Sequence, residues 1–180
     1  MTSNQTADDS LSSNKLLLRR RPRRLRRSTG IRDVVRETKL SPEDLIYPLF
    51  ACPGSGVRQE VPSMPGVFQL SVDQIVAEAI AAATEGVRGI LLFGLPESKD
   101  STGSAADDTN APVQSAVRAI KKELPELLVI TDVCLCEYTS HGHCGIIDGT
   151  NIVNDATVNR LMSVAAVSYT HLTLPTILLV

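Results

Sequence analysis

Three of the chain's four cysteines and two of its three histidines fall between Thr131 and Gly145, in TDVCLCEYTSHGHCG. The spacing is Cys134-x-Cys136, then seven residues to Cys144. Alternate residues of a strand point the same way, so a strand that continues to Cys136 puts both thiols on one side. Ser140, Gly142 and Gly145 give the loop the freedom to fold Cys144 back beside them. Three soft sulfurs close together suit zinc. Neighbouring thiolates also repel one another, and a divalent cation relieves that repulsion. Three protein ligands leave a fourth tetrahedral position for water or substrate, the pattern of a catalytic zinc. A closed structural site results instead if His141 or His143 takes that position. Three inert buried thiols are the alternative to any metal. Asp132 sits just before the cluster, where it could orient a ligand or a substrate amine, or only hydrogen-bond its own loop. Cys52 stands apart and reads as a free structural thiol, and His171 has no assigned role.

The elements that must position these groups are read from hydrophobic pattern. DLIYPLF (44–50), GILLFG (89–94) and LLVITDV (127–133) are continuous apolar runs, as expected of strands buried on both faces of a parallel sheet. Between the first two lies a Pro- and Gly-rich loop, 52–66. A helix follows, with Ser71 as N-cap and Gln74 completing a capping box. Its predicted buried face is Val72, Ile75, Val76, Ala79, Ile80 and Ala83, and Gly86 ends it. After the loop 96–110, Asn110 is expected to cap a second helix that carries Pro112 in its first turn and buries Val113, Ala116, Val117 and Ile120. A third helix is expected from Asn154 or Asp155, burying Val158, Leu161, Met162 and Ala165. Strand and helix alternate, so the fold class is α/β. This pattern alone does not separate a barrel from an open sheet. In either, ligands bind at the carboxyl ends of the strands, and the cysteines begin where the third strand ends.

Composition bounds the rest. With 180 residues, 43% of them hydrophobic and only 3% aromatic, the core must be aliphatic. The net charge of −2 hides a basic arm: residues 1–40 hold 11 Lys and Arg against 4 Asp and Glu, concentrated in RRRPRRLRR (19–27). On charge alone the arm could bind nucleic acid, but it lacks interleaved aromatics and any recognition element. Residues 1–14 are polar and predicted to be disordered, and a short helix is possible around 32–37. The N-terminus has no apolar segment of the secretory kind, and no apolar run approaches the ~20 residues of a membrane helix. Clustered reduced thiols point to the cytoplasm.

RPRRLRR, SPEDLIYPLF, SMPGV, LLFGLPESKD and above all DVCLCEYTSHGHCG resemble porphobilinogen synthase, the delta-aminolevulinic acid dehydratase family, from about Arg21 to Ala165. The resemblance implies a TIM (β/α)8 barrel with an N-terminal arm. It implies a lyase that condenses two molecules of 5-aminolevulinate to porphobilinogen in haem biosynthesis. It makes Cys134, Cys136 and Cys144 zinc ligands and Asp132 an active-site residue. It also implies a homo-octamer in which arms embrace neighbouring subunits, with Mg2+ a further metal of the full-length protein. No nucleic-acid or membrane partner follows from it.

The family's chemistry also needs lysines that form Schiff bases with the substrates. The five lysines here, Lys15, Lys39, Lys99, Lys121 and Lys122, match none of them. A complete barrel needs ~250 residues, so three β/α units, 41–167, are expected after the arm at 1–40. The tail 168–180 does not align to the family. Its TILLV could form a fourth strand, but a truncated reading frame is the preferred expectation, with the chain inactive alone. The alternative function is a non-catalytic zinc-binding or assembly fragment of the same family.

Overall fold

The computed structural model describes residues 22–171. The predicted disorder of 1–14, the start of the basic arm and the possible strand in TILLV lie outside the described residues. The chain divides into two units, Met1–Leu40 and Ser41–Val180. In the first, a 3-10 turn at Pro22–Arg26 precedes α1 (Thr29–Val34). This helix starts three residues before the position expected from sequence, because the Ser28 hydroxyl accepts the Ile31 amide at 3.3 Å. None of its residues is buried.

The second unit opens with a 3-10 turn, Pro42–Asp44, tied by the Ser41 amide donating to Asp44 Oδ2 at 2.9 Å. The elements β1 (Ile46–Ala51), β2 (Arg58–Glu60), β3 (Phe68–Leu70), α2 (Val72–Thr84), β4 (Gly89–Gly94), α3 (Pro112–Glu123), β5 (Leu128–Thr131), β6 (Ile147–Asp148), β7 (Asn151–Ile152) and α4 (Asn154–His171) follow. The main sheet has the order β2-β3-β1-β4-β5. Strands β3, β1, β4 and β5 run parallel, and β2 is antiparallel to β3. The sheet is open. A separate hairpin, β6–β7, follows the cysteine segment.

Helices cover one face. Leu49, Ile90, Leu92 and Val129 point to that side and pack with Ile75 and Ala79 of α2 and with Val113, Ala116, Val117 and Ile120 of α3. Fully burying Ile120 alone stabilises by ~1.5–3 kcal/mol. The alternate residues, Phe50, Leu91, Phe93 and Ile130, are half-exposed on the other face, where Phe50 and Phe93 stack with centroids 5.3 Å apart. Pro48 is tolerated within β1 because its nitrogen lies on the edge that β3 reaches only at Phe50 and Ala51.

Several local expectations need correction. The loop 52–66 contains β2 and leads into β3, forming a small antiparallel pair. Ser71 is the N-cap of α2, but no capping box forms. Its hydroxyl donates to Asp73 at 2.6 Å and accepts the Val57 amide at 2.9 Å, while the Gln74 amide turns to Asp73. Ser71 therefore staples the β2 loop to the helix instead of capping it. Ile80 is 43% exposed, outside the buried stripe. Ala111, not Asn110, is the N-cap of α3. Helix α4 starts at Asn154 but buries Thr157, Val164 and Ser168, with Leu161 packed alongside. Val158 and Met162 are exposed, and so is Ala165, because the face that meets the turn Ser104–Asp107 is rotated by about one residue. No helix among the described residues is long and apolar enough to cross a membrane.

Candidate metal centre

Strand β5 ends at Thr131, earlier than the apolar run suggests. The Asp132 amide makes one more ladder bond, to the Leu92 carbonyl at 3.1 Å, and the chain then leaves the sheet. Cys134 and Cys136 accordingly lie in a turn and not on the strand. The same-side placement survives for another reason. Leu135 between them is fully buried, packed with Ala106, Tyr138 and Val164, which anchors the turn and leaves both flanking sulfurs on its outer side. The amides of Tyr138 and Thr139 both donate to the Leu135 carbonyl at 2.9 Å. Gly142, at φ 70°, reverses the chain so that Cys144 returns to the pair.

The three sulfurs are thereby brought together. Cys134 Sγ and Cys136 Sγ are 3.3 Å apart, and all three lie within 4.8 Å of one another. A tetrahedral zinc with ~2.3 Å bonds separates its sulfurs by about 3.8 Å, inside this range, so the donor set fits zinc. Among the described residues no fourth ligand atom joins the group. His141 is engaged elsewhere: its Nδ1 accepts the His143 amide at 3.2 Å, and its Nε2 faces the Ser101 carbonyl at 3.2 Å. The histidines thus brace the loop, as does Thr139, whose buried hydroxyl donates to the His143 carbonyl at 2.9 Å.

Electrostatics favours a cation here. The Cys136 thiol is pushed up to about 12, first by its hydrogen bond with Cys134 and then by burial. Cys144 is also raised, chiefly by Cys134. Without a metal the Cys136 and Cys144 thiols resist ionising. Asp132 is half-buried, and its charge acts on Glu137, Tyr138 and Cys144, so it belongs to the same locality. Cys52 is buried, and burial pushes its thiol up, in keeping with a structural role.

Three features escaped the sequence reading. The Glu137 carboxylate turns inward and accepts the Gly94 amide at 2.8 Å. Burial raises its pKa to about 7, with Asp132 adding to the shift. Tyr138 packs so closely on Gly94 that a Cβ there would lie 1.8 Å from its hydroxyl oxygen. The loop after β4 also clasps the cluster: the Ser140 amide donates to the Asp100 carbonyl at 2.8 Å, while the Asp100 carboxylate gathers Thr102 and Ser104. An acidic residue in a polar segment carries no signal that it faces inward.

An open, mostly parallel α/β sheet with a three-thiol cluster at the carboxyl end of a strand defines a class: an α/β protein with a candidate metal centre at the active end of its fold. The family profile for delta-aminolevulinic acid dehydratase matches residues 19–171, and the chain belongs to that family. It is 51% identical over 146 residues to the delta-aminolevulinic acid dehydratase of Halalkalibacterium halodurans, covering 81% of this chain and 44% of that one. It is 50% identical over 149 residues to the Synechocystis enzyme of the same name, covering 81% of this chain and 46% of the other. A crystal structure of the Toxoplasma gondii enzyme, in complex with its reaction product porphobilinogen, superposes with a TM-score of 0.80 at 32% identity, over 87% of this chain and 45% of that one. The chain therefore spans less than half the length of these relatives.

Proposed function

We propose that the chain carries the metal-binding portion of a porphobilinogen synthase, which condenses two molecules of 5-aminolevulinate with loss of water. The observation that carries this reading is the convergence of Cys134, Cys136 and Cys144 in a chain of this family. These cysteines would hold zinc. Bound there, zinc supplies a Lewis-acidic centre with a position open to one substrate. Asp132, half-buried two residues before Cys134, would orient a substrate amine. Leu135, packed with Ala106, Tyr138 and Val164, would anchor the turn that presents the cysteines.

The finer architecture belongs to the same proposal. Helices on one face of the sheet and half-exposed apolar residues on the other are what part of a (β/α)8 barrel presents. The arm 1–40 would embrace a neighbouring subunit in a homo-octamer. Reduced thiols suit the cytoplasm, and Mg2+ would bind outside the residues present here. The barrel portion would run over 41–167, with 168–180 a tail outside it. A chimera tests the function: residues 19–167 replace their counterparts in the Halalkalibacterium halodurans relative. Porphobilinogen formation that requires zinc and is lost on Cys136→Ser is expected. A folded, zinc-loaded chimera with no turnover would overturn the reading.

A further inference from the structure

Glu137 is joined to Cys136 by a single peptide bond, yet its side chain does not face solvent. It reaches across to β4 and accepts the Gly94 amide at 2.8 Å, closing a link between residues 43 positions apart in sequence. That amide ends its strand: the next one, of Leu95, still donates to the Ala51 carbonyl at 2.8 Å. With Glu137 in place the Gly94 donor is satisfied at the carboxyl end of β4, beyond the last residue of β5. The following residue, Tyr138, occupies the space that a side chain at position 94 would fill. Two consecutive residues of the cysteine turn thus grip one glycine, one by a hydrogen bond and one by packing. The packing requires glycine, since any Cβ at position 94 would displace Tyr138 and meet Val113 at 2.9 Å, whereas the hydrogen bond needs only the backbone amide.

We propose that Glu137 is a positioning residue for the metal centre, its carboxylate fixing the cysteine turn to the end of β4 so that Cys134 and Cys136 are pre-arranged for the ion. The inference rests on the zinc reading above. Groups that orient ligands are known to change metal affinity by 10–100-fold although they do not touch the metal. Here the link works through the backbone next to Cys136, so an effect near the lower end is expected. The geometry also separates reach from charge. Gln keeps the length and an acceptor oxygen but not the charge. Asp keeps the charge but is one methylene too short to reach Gly94.

The test uses the whole chain and its Glu137→Gln, Glu137→Asp and Glu137→Ala variants. Anaerobic Co2+ titration is followed by the thiolate-to-metal band and the d–d bands, and Gly94 amide hydrogen exchange is measured alongside. Expected are Co2+ affinity within about twofold of the parent for Gln, and about tenfold weaker affinity with altered d–d bands for Asp and Ala. The Gly94 amide stays protected in Gln and exchanges faster in Asp and Ala. If the Ala variant does not fold, the Gln–Asp pair decides alone. Asp binding as tightly as the parent, or Gln as weakly as Asp, overturns the proposal. A parent that binds no Co2+ sinks the metal reading, whereas equal Gly94 protection in all variants sinks the positioning role.

Discussion

A cluster of three thiols differs from three single thiols in how it answers removal of one member. Among the described residues three sulfurs gather within 4.8 Å, and the two left after a substitution would hold a tetrahedral ion poorly against competing water. Serine in place of Cys134, Cys136 or Cys144 is expected to weaken zinc binding by more than the ~10–100-fold typical of outer partners. Cys52→Ala, at a buried thiol beyond the end of β1, should leave affinity unchanged. Zinc competition against a chelator of known affinity measures both, and a Cys52 effect as large as the others would contradict the assignment. The cluster is legible in the sequence because its chemistry demands one residue type at close spacing. Glu137 is not, because its role depends on an amide 43 residues away and on the missing side chain of Gly94. Composition also could not say which histidine is free to bind metal: His141 is spent on Ser101 and on the His143 backbone.

At the scale of elements, one side chain of α4 ties it to the loop after β4. Arg160 donates to the carbonyls of Thr102 at 3.1 Å and Gly103 at 2.7 Å and pairs with both carboxylate oxygens of Asp107. The guanidinium holds the Asp107 carboxyl below the usual carboxylate range. Both side chains are less than a third exposed, so Arg160→Ala is expected to cost roughly 1–3 kcal/mol, less than a fully buried pair. A carboxylate whose folded pKa is depressed contributes stability above its unfolded value near 4, and that contribution disappears as pH falls through the folded value. The gap between parent and variant should therefore be widest above about pH 5 and narrow below pH 4. Urea melts from pH 3 to 7 would show it, and a gap constant with pH would argue against the ion pair. A second test at this scale is Gly94→Ala, whose methyl would sit 1.8 Å from the Tyr138 hydroxyl. Displacing Tyr138 should destabilise by ~1–3 kcal/mol in the same melts, as overpacking does. Strands β1, β4 and β5 and the stripe of α3 were readable because they are uniformly apolar or strictly periodic. The β2–β3 pair was not, since its register is set by the Ser71 and Asp73 bonds to Val57 and Gly56, whose partners lie 14 and 17 residues apart. The α4 stripe was misjudged because Thr157 is buried for its hydroxyl, which accepts the Ile146 amide at 2.9 Å and donates to the Val153 carbonyl at 2.7 Å.

For the whole molecule, the sheet is the informative object. The alternation of strand and helix was sufficient to anticipate an α/β fold with parallel strands, but not the order β2-β3-β1-β4-β5, whose first two strands carry no such pattern. What pattern could not reveal is that, among the described residues of the second unit, the helices cover one face. Phe50, Leu91, Phe93 and Ile130 are half-exposed on the other, and Leu128 at the edge strand is 54% exposed. An apolar face of this kind marks an interaction surface or an aggregation liability. The chain by itself is therefore expected to bind a hydrophobic dye such as ANS more strongly than a full-length relative does. Activity should be absent for a separate reason. The reaction that the resemblance implies needs lysine amines that form Schiff bases, and the lysines of this chain match none of those positions. Lys121 donates to the carbonyls of Pro125 and Leu127 at 3.1 and 2.7 Å, at the opposite end of the strands from the cysteines. Lys122 shares that helix end, and Lys39 lies in the first unit. Lys99 extends its charge to Glu137, but it sits exposed in the loop after β4. Incubating the zinc-loaded chain with 5-aminolevulinate and borohydride should trap no stoichiometric lysine adduct and yield no porphobilinogen. Turnover by the chain alone, or an adduct on Lys99, would mean that its own residues complete the site.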